Sequence, residues 1–302
     1  MPPPEPTRCG VVAIVGAPNA GKSTLLNALL GQKLAITSPK VQTTRTRLLG
    51  IVLEGPAQIL FLDTPGLFTP RRLMDRAMVS DAWDAARDAD VTLFLLDSKT
   101  GLDPSAVNLL DRLPSVARTP WLALNKVDLV DKPRLLELAA AANARVPFQR
   151  TFMIAALTGD GVGDLRHALA QAMPEGPWLY PPDQVTNAPA RLLAAELTRE
   201  QLFRQLGQEL PYASAVLPET FEERPDGSAV VRQQILVERD SQKAIVLGRG
   251  GARIRAIGKA ARAEIARALD RPIHLFLHVS VRPGWRDDPR VLRELGLPAR
   301  GR

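Results

Sequence analysis

One octapeptide restricts this chain more than any other feature: Gly16-Ala17-Pro18-Asn19-Ala20-Gly21-Lys22-Ser23. It follows the apolar run 11–15 and opens a helix near Thr24, giving the order strand, glycine loop, helix. Such a loop turns its backbone N–H groups inward at a helix N-terminus, where the helix dipole also favours an anion. Lys22 is placed to bridge terminal phosphates, and the Ser23 hydroxyl is a ligand type for Mg²⁺. A glycine turn before a helix is the plain alternative, but the flanking strand and helix are the context a phosphate cradle needs.

Further apolar runs at 59–62, 91–96 and 121–124 alternate with polar or Ala/Leu-rich helical stretches. That rhythm predicts an α/β domain with a mostly parallel sheet covered on both faces. Residues 48–53 and 58–62, joined by Glu54-Gly55-Pro56, read as a hairpin that adds one antiparallel edge strand. The stretch PEGPWLYPPDQVTNAP at 174–189 is too rich in proline to continue a regular element. The expected division is a first domain at 1–175, a linker at 176–189 and a second, smaller α+β domain at 190–302.

A phosphate loop leaves the nucleotide open, and two later segments narrow it. Asp63-Thr64-Pro65-Gly66 follows a strand, so Asp63 can hold Mg²⁺ through water while the Gly66 N–H meets a γ-phosphate. Alone, that tetrapeptide is as good a turn as a ligand. Asn125-Lys126-Val127-Asp128 ends another apolar run, and a buried carboxylate at Asp128 would accept both the N1–H and the exocyclic amine of guanine. Adenine lacks that donor pair, so the segment selects GTP and GDP. Asn125 and Lys126 would brace the loop and cover the base.

Thr44, in the polar stretch Gln42-Thr43-Thr44-Arg45-Thr46, is the expected second Mg²⁺ hydroxyl, on position alone. Ala155 and Ala156 end a further strand, where the Ala156 N–H could meet the guanine carbonyl. After Gly66 comes Leu67, where Ras-like GTPases carry a water-orienting glutamine. Hydrolysis then rests on charge and positioning by Lys22, Thr44, Gly66, Mg²⁺ and one further cation. Asn19 is the candidate ligand for K⁺, with bracing of the loop as its alternative role.

The second domain reads as helix, two strands, two helices and a strand. Gly248-Arg249-Gly250-Gly251 lies between its paired helices and matches the G-x-x-G loop with which KH domains clamp single-stranded RNA. Arg253, Arg255, Lys259 and Arg262 follow on the next helix, while Ile254, Ile257, Ala261, Ile265 and Leu269 recur at helical spacing and should face a core. A solvated basic face is the alternative. Charge divides unevenly: residues 1–189 hold 19 Lys/Arg against 18 Asp/Glu, and residues 190–302 hold 20 against 14. The basic excess therefore lies where the G-x-x-G loop lies, which suits a polyanion.

His167, His274 and His278 are too scattered for a zinc site, and Cys9, the only cysteine, forms no intrachain disulfide. No apolar run approaches the roughly 18–20 residues of a membrane span, and the start MPPPEPTR lacks the apolar stretch of a signal peptide. A cytosolic protein is expected.

These segments together resemble the Era family of bacterial ribosome-assembly GTPases across nearly the whole chain. GAPNAGKST, QTTRTR, DTPGL, NKVD, LGQELPY at 206–212, the stretch 235–258, Gly284-Trp285-Arg286-Asp287-Asp288 and residues 292–296 carry the likeness. The resemblance implies a GTP-hydrolysing switch in maturation of the small (30S) ribosomal subunit, with a type II KH domain binding 16S rRNA near its 3′ end and no DNA partner. It also implies a cytoplasmic protein whose membrane contact, if any, is peripheral on the inner face. Two positions depart from the family pattern: Ala155, where serine is usual, and Gly250, where lysine is frequent. A GTP-sensing regulatory module with little turnover and a protein or membrane partner is the competing reading.

Overall fold

The structure, a computed structural model, describes residues 6–37, 45, 47–68, 70, 72–207 and 210–297. The chain forms two compact units, one of residues 1–35, 44–70 and 78–187 and one of residues 36–43, 71–77 and 188–302.

The first unit alternates strands and helices: β1 (Arg8–Val15), α1 (Lys22–Leu30), β2 (Leu48–Glu54), β3 (Ala57–Asp63), α2 (Leu73–Asp88, from Met78 onward), β4 (Val91–Asp97), α3 (Pro104–Arg112), β5 (Pro120–Asn125), α4 (Lys132–Arg145), β6 (Thr151–Ile154) and α5 (Val162–Ala172). Its sheet runs β2-β3-β1-β4-β5-β6, with β2 antiparallel to β3 and all other neighbours parallel. Successive residues of β1 point to opposite faces, and both faces are dry. Val12 and Ile14 pack with Leu25, Leu29, Leu165 and Leu169, whereas Ala13 and Val15 pack with Trp83, Leu110, Leu122 and Leu124. A sheet buried on both sides explains why its strands are apolar throughout rather than alternating.

The β2–β3 hairpin closes on Gly55-Pro56, between the paired Glu54 and Ala57, with Gly55 at φ +56 in the first central position. Asp103 caps α3 by accepting the Ala106 N–H at 2.7 Å, ahead of Pro104 in the first helical turn.

Residues 176–187, expected as linker, are instead hydrogen-bonded to the first unit. Gln58, fully buried in β3, accepts the Leu179 and Tyr180 N–H groups at 2.8 and 3.0 Å and donates to Tyr180 O at 2.8 Å. Trp178 Nε1 donates to Pro56 O, Ile51 N to Val185 O and Thr186 Oγ1 to Leu49 O. The last two bonds take up backbone groups of the outer strand β2, which an uncovered sheet edge would leave unpaired.

The second unit contains α6 (Ala190–Gln205), β7 (Ala215–Glu223), β8 (Ala229–Val237), α7 (Asp240–Leu247), α8 (Ala252–Leu269), β9 (Ile273–Val281) and α9 (Pro289–Glu294). β8 is central, antiparallel to β7 and parallel to β9. A parallel pair needs a crossover, which α7 and α8 supply. The β7–β8 turn runs through Pro225-Asp226-Gly227: Asp226 Oδ1 accepts Ser228 Oγ and N at 2.7 and 2.9 Å, which holds its carboxyl below the usual range. Ile257, Ala261 and Ile265 of α8 are buried as the spacing predicts, Ile257 in a core with Leu202, Ile235 and Val246, while Ile254 and Leu269 are half-buried. β9 is followed by α9, capped by Asp288 through the Arg290 N–H, and Trp285 before it is fully buried with Nε1 on Ala213 O.

Candidate nucleotide site and RNA-binding face

Register alone brings the phosphate loop and the DTPG segment together. β1 and β3 are parallel with Ile14 opposite Asp63, so both strands end at the same edge and their following loops meet there. Thr64 Oγ1 donates to Ile14 O at 2.7 Å, and Leu67 N donates to Gly16 O at 3.1 Å. Gly66 lies against Pro18, where an added Cβ would come within 3.0 Å of its Cα. α1 starts from Gly21 with no side-chain cap, so its first N–H groups face the loop.

Lys22 is buried, with Nζ donating to Gly16 O and Ala17 O at 3.1 and 3.0 Å. Burial lowers its pKa from 10.5 to about 8, and the nearby Asp63 carboxylate opposes that fall. Ser23 Oγ donates to Asp63 Oδ2 at 2.9 Å, and Asp63 is fully buried. A hydroxyl and a carboxylate converging beneath a phosphate loop form the all-oxygen donor set that Mg²⁺ takes, so these residues fit the ion. Thr44, the expected second hydroxyl, lies outside the described residues.

The base side is laced by side-chain amides. Asn125 Nδ2 donates to Ala20 O at 2.7 Å, and Asn125 Oδ1 accepts the Ala156 N–H at 3.0 Å. Gly21 makes the first bond possible: at φ +100, an added Cβ would stand 2.3 Å from Asn125 Nδ2. Lys126, also left-handed at φ +63, reaches Asn19 O at 2.9 Å and Asp97 Oδ2 at 2.6 Å. A cleft of about 160 Å³ opens between Gly21, Thr24, Asn125, Asp128, Ala156 and Leu157.

Two expectations change here. Asp128 is exposed, on the 3₁₀ turn Val127–Leu129 at the cleft rim, and is not the buried carboxylate expected from the strand end. The Ala156 N–H, expected to meet the guanine carbonyl, is held by Asn125 and so braces the loop. Ala155 is buried beneath it, with its N–H on Asp160 O. The sequence reading also missed three residues: Asp97, and the exposed Leu129 and Leu157 that line the cleft. Asp97 was findable, because it ends β4 at the edge where the strand C-termini gather and ligands of such sheets bind. An exposed leucine carries no comparable signal.

In the second unit the 3₁₀ turn Arg249–Gly251 joins α7 to α8. Gly248 takes φ +70, and a Cβ there would meet the Arg253 Cβ at 2.7 Å, so the paired helices approach over glycine. Arg249, Arg253, Arg255, Lys259 and Arg262 are all exposed. Arg255, Lys259 and Arg262 follow one helical stripe, roughly opposite Ile257, Ala261 and Ile265. Arg253 is partly committed, its Nη1 donating to Ile245 O at 3.0 Å. Ile245, half-exposed on α7, is an apolar surface within one turn of Gly248.

Residues 11–126 match the family described as 50S ribosome-binding GTPase, and residues 209–286 match the KH domain. GTPase Era of Afipia carboxidovorans is 58% identical over 97% of this chain and 95% of its own length. GTPase Era of Rhizobium meliloti is 57% identical over 97% and 93%. The chain belongs to the Era family of GTPases. Two solved Era structures superpose with TM-scores of 0.91 at 36% identity, covering 96% of this chain and 99% of theirs. One is described as Era with MgGDPNP and nucleotides 1506–1542 of 16S ribosomal RNA, the other as a point variant of Aquifex aeolicus Era bound to GDP·AlF₄⁻. As an Era-family member the chain is a GTP-hydrolysing enzyme, a P-loop GTPase domain followed by a KH domain.

Proposed function

We propose that this chain binds GTP with Mg²⁺, hydrolyses it, and uses the nucleotide cycle to govern binding of its KH domain near the 3′ end of 16S rRNA during assembly of the small (30S) subunit. The observation that carries this reading is the presence, on one chain, of a cleft between the phosphate loop and the NKVD turn and of a glycine-paired helical hairpin flanked by a basic stripe. The RNA fragment held by the solved Era structure supports the choice of target.

In this reading the N–H groups of 16–24, Pro18 apart, and the Lys22 ammonium bind the phosphates, and the Gly66 N–H meets the γ-phosphate. Asp128 takes the guanine N1–H and amine, while Asn125 and Lys126 hold that turn to the phosphate loop. Ser23, Thr44 and Asp63 would hold Mg²⁺, which would supply neutralisation of the charge that develops on the phosphates. Leu67 is fully buried in the core, so the residue after DTPG does not orient the attacking water. Rate then comes from positioning and charge, and Asn19, exposed on the phosphate loop, is the proposed K⁺ ligand. Gly248, Arg249, Gly250 and Gly251 clamp the RNA backbone, with Arg253, Arg255, Lys259 and Arg262 adding charge and Ile245 a surface for a base.

In the same reading the protein works in the cytoplasm, with any membrane contact peripheral on the inner face of the cell membrane. Among the described residues no helix is long and apolar enough to cross a membrane.

Titration of a labelled single strand matching the 16S rRNA 3′ end, against a scrambled strand of equal length and charge, tests the target. Preference for the native strand, lost in Gly251→Asp, is expected. Equal, salt-sensitive binding of both strands would reduce the basic stripe to a general electrostatic surface and remove the rRNA role.

A further inference from the structure

Asp97 ends β4 and belongs to none of the nucleotide motifs, yet its carboxylate sits between them. Oδ2 lies 2.6 Å from Lys126 Nζ, and the same ammonium donates to Asn19 O at 2.9 Å. Oδ1 accepts the Lys99 N–H at 2.9 Å, which fixes the direction of the carboxylate. Its neighbour Ser98 donates its N–H to Asn125 O, so the end of β4 is also tied to the strand that carries NKVD. The Asp97 side chain is only 12% exposed and that of Lys126 32%, so the pair is less screened than one on open surface.

A lysine stem is flexible and its ammonium strongly hydrated, so one neutral carbonyl holds it weakly. A carboxylate on the far side converts that contact into a charge-assisted bridge from β4 through Lys126 to the phosphate loop. Asp128 follows Lys126 by two residues on the turn Val127–Leu129, so whatever fixes Lys126 also fixes the carboxylate that reads the base.

We propose that Asp97 is a positioning residue for guanine nucleotide, acting through Lys126 to hold the base-reading turn in register with the phosphate loop. The inference rests on the reading of Lys126 as a nucleotide-site residue. Because the bridge touches neither the γ-phosphate nor the DTPG loop, it slows release of GDP and of a GTP analogue alike.

Release of fluorescent GDP and of a fluorescent GTP analogue from the full chain with Mg²⁺, followed by stopped flow, is the test. The proteins are wild type, Asp97→Ala, Asp97→Asn, Lys126→Ala and the double variant Asp97→Ala/Lys126→Ala. Removing a charged partner should speed release of both nucleotides roughly ten- to hundredfold in Asp97→Ala. Asp97→Asn, which keeps an acceptor but no charge, should fall between, with an unfolding midpoint matching wild type without nucleotide. In the Lys126→Ala background, Asp97→Ala should have no further effect. Wild-type release in Asp97→Ala, or the same acceleration with and without Lys126, overturns the proposal and leaves Asp97 as a turn cap for Lys99. Wild-type release in Lys126→Ala overturns the underlying reading of Lys126 itself.

Discussion

Asp128 is exposed at the rim of its cleft, and that exposure changes how guanine selection works at the level of a single residue. Selectivity cannot come from a carboxylate already desolvated in the free protein; it must come from desolvation when the base enters. Asp128→Asn replaces a double acceptor by one donor and one acceptor, which matches a base bearing a carbonyl where guanine bears its amine. The variant should bind GTP at least roughly thirtyfold more weakly, given about 2–5 kcal/mol for breaking such a charged pair, and should prefer xanthosine triphosphate; competition binding with both nucleotides reads this directly. The side chains gathered around the phosphate loop were legible, since Lys22, Ser23, Asp63 and Asn125 stand in motifs whose spacing carries their chemistry. Leu129 and Leu157 were not, because no local pattern marks an exposed leucine, whereas Asp97 was marked only by its place at the end of β4.

At the scale of elements, every strand of the first unit's parallel core that the apolar runs predicted is present, and the hairpin forms the antiparallel edge. A run of apolar residues between turn signals has few alternatives in a sheet covered on both faces. Residues 176–187 escaped this logic: proline blocks regular structure, yet the backbone still needs partners, and it finds them on the hairpin. Gln58, a polar residue inside an apolar strand, was the available signal. Gln58→Leu removes the three hydrogen bonds that tie residues 179 and 180 to β3 and strands the Leu179 and Tyr180 N–H groups, so the first unit should lose about 2–3 kcal/mol in urea unfolding. A loss below about 0.5 kcal/mol would show that the 176–187 strap contributes nothing to stability. The KH helices were legible for the same periodic reasons as the sheet, whereas α9 was not, being a single short turn set by the Asp288 cap.

Across the whole molecule, charge separates the roles of the two halves of the sequence. The excess of 20 Lys/Arg over 14 Asp/Glu in residues 190–302 predicts RNA binding that weakens steeply with salt, whereas nucleotide binding in the near-neutral remainder should not. Within the second unit, Glu238 is held below its ordinary 4.5 chiefly by its hydrogen bond from Arg286, with Arg286, Arg72 and Arg239 adding attraction against partial burial. A depressed carboxylate stabilises the fold above its unfolded pKa, and that contribution is lost as pH falls through the folded value. Glu238→Gln should therefore unfold at a lower temperature than wild type at neutral pH, with the gap closing below pH 4.5. A gap independent of pH would assign the effect to packing rather than charge.

The most direct measurement of the central claim is anisotropy of the labelled 16S 3′-end strand titrated with the full chain loaded with GDP or with a non-hydrolysable GTP analogue. A nucleotide-governed switch predicts at least roughly fivefold tighter RNA binding with the analogue, the lower end of the usual coupling between linked sites. By reciprocity the RNA should tighten analogue binding by the same factor. Identical RNA affinity in both nucleotide states would contradict the account, leaving a GTPase and an RNA-binding domain that share a chain without sharing a cycle.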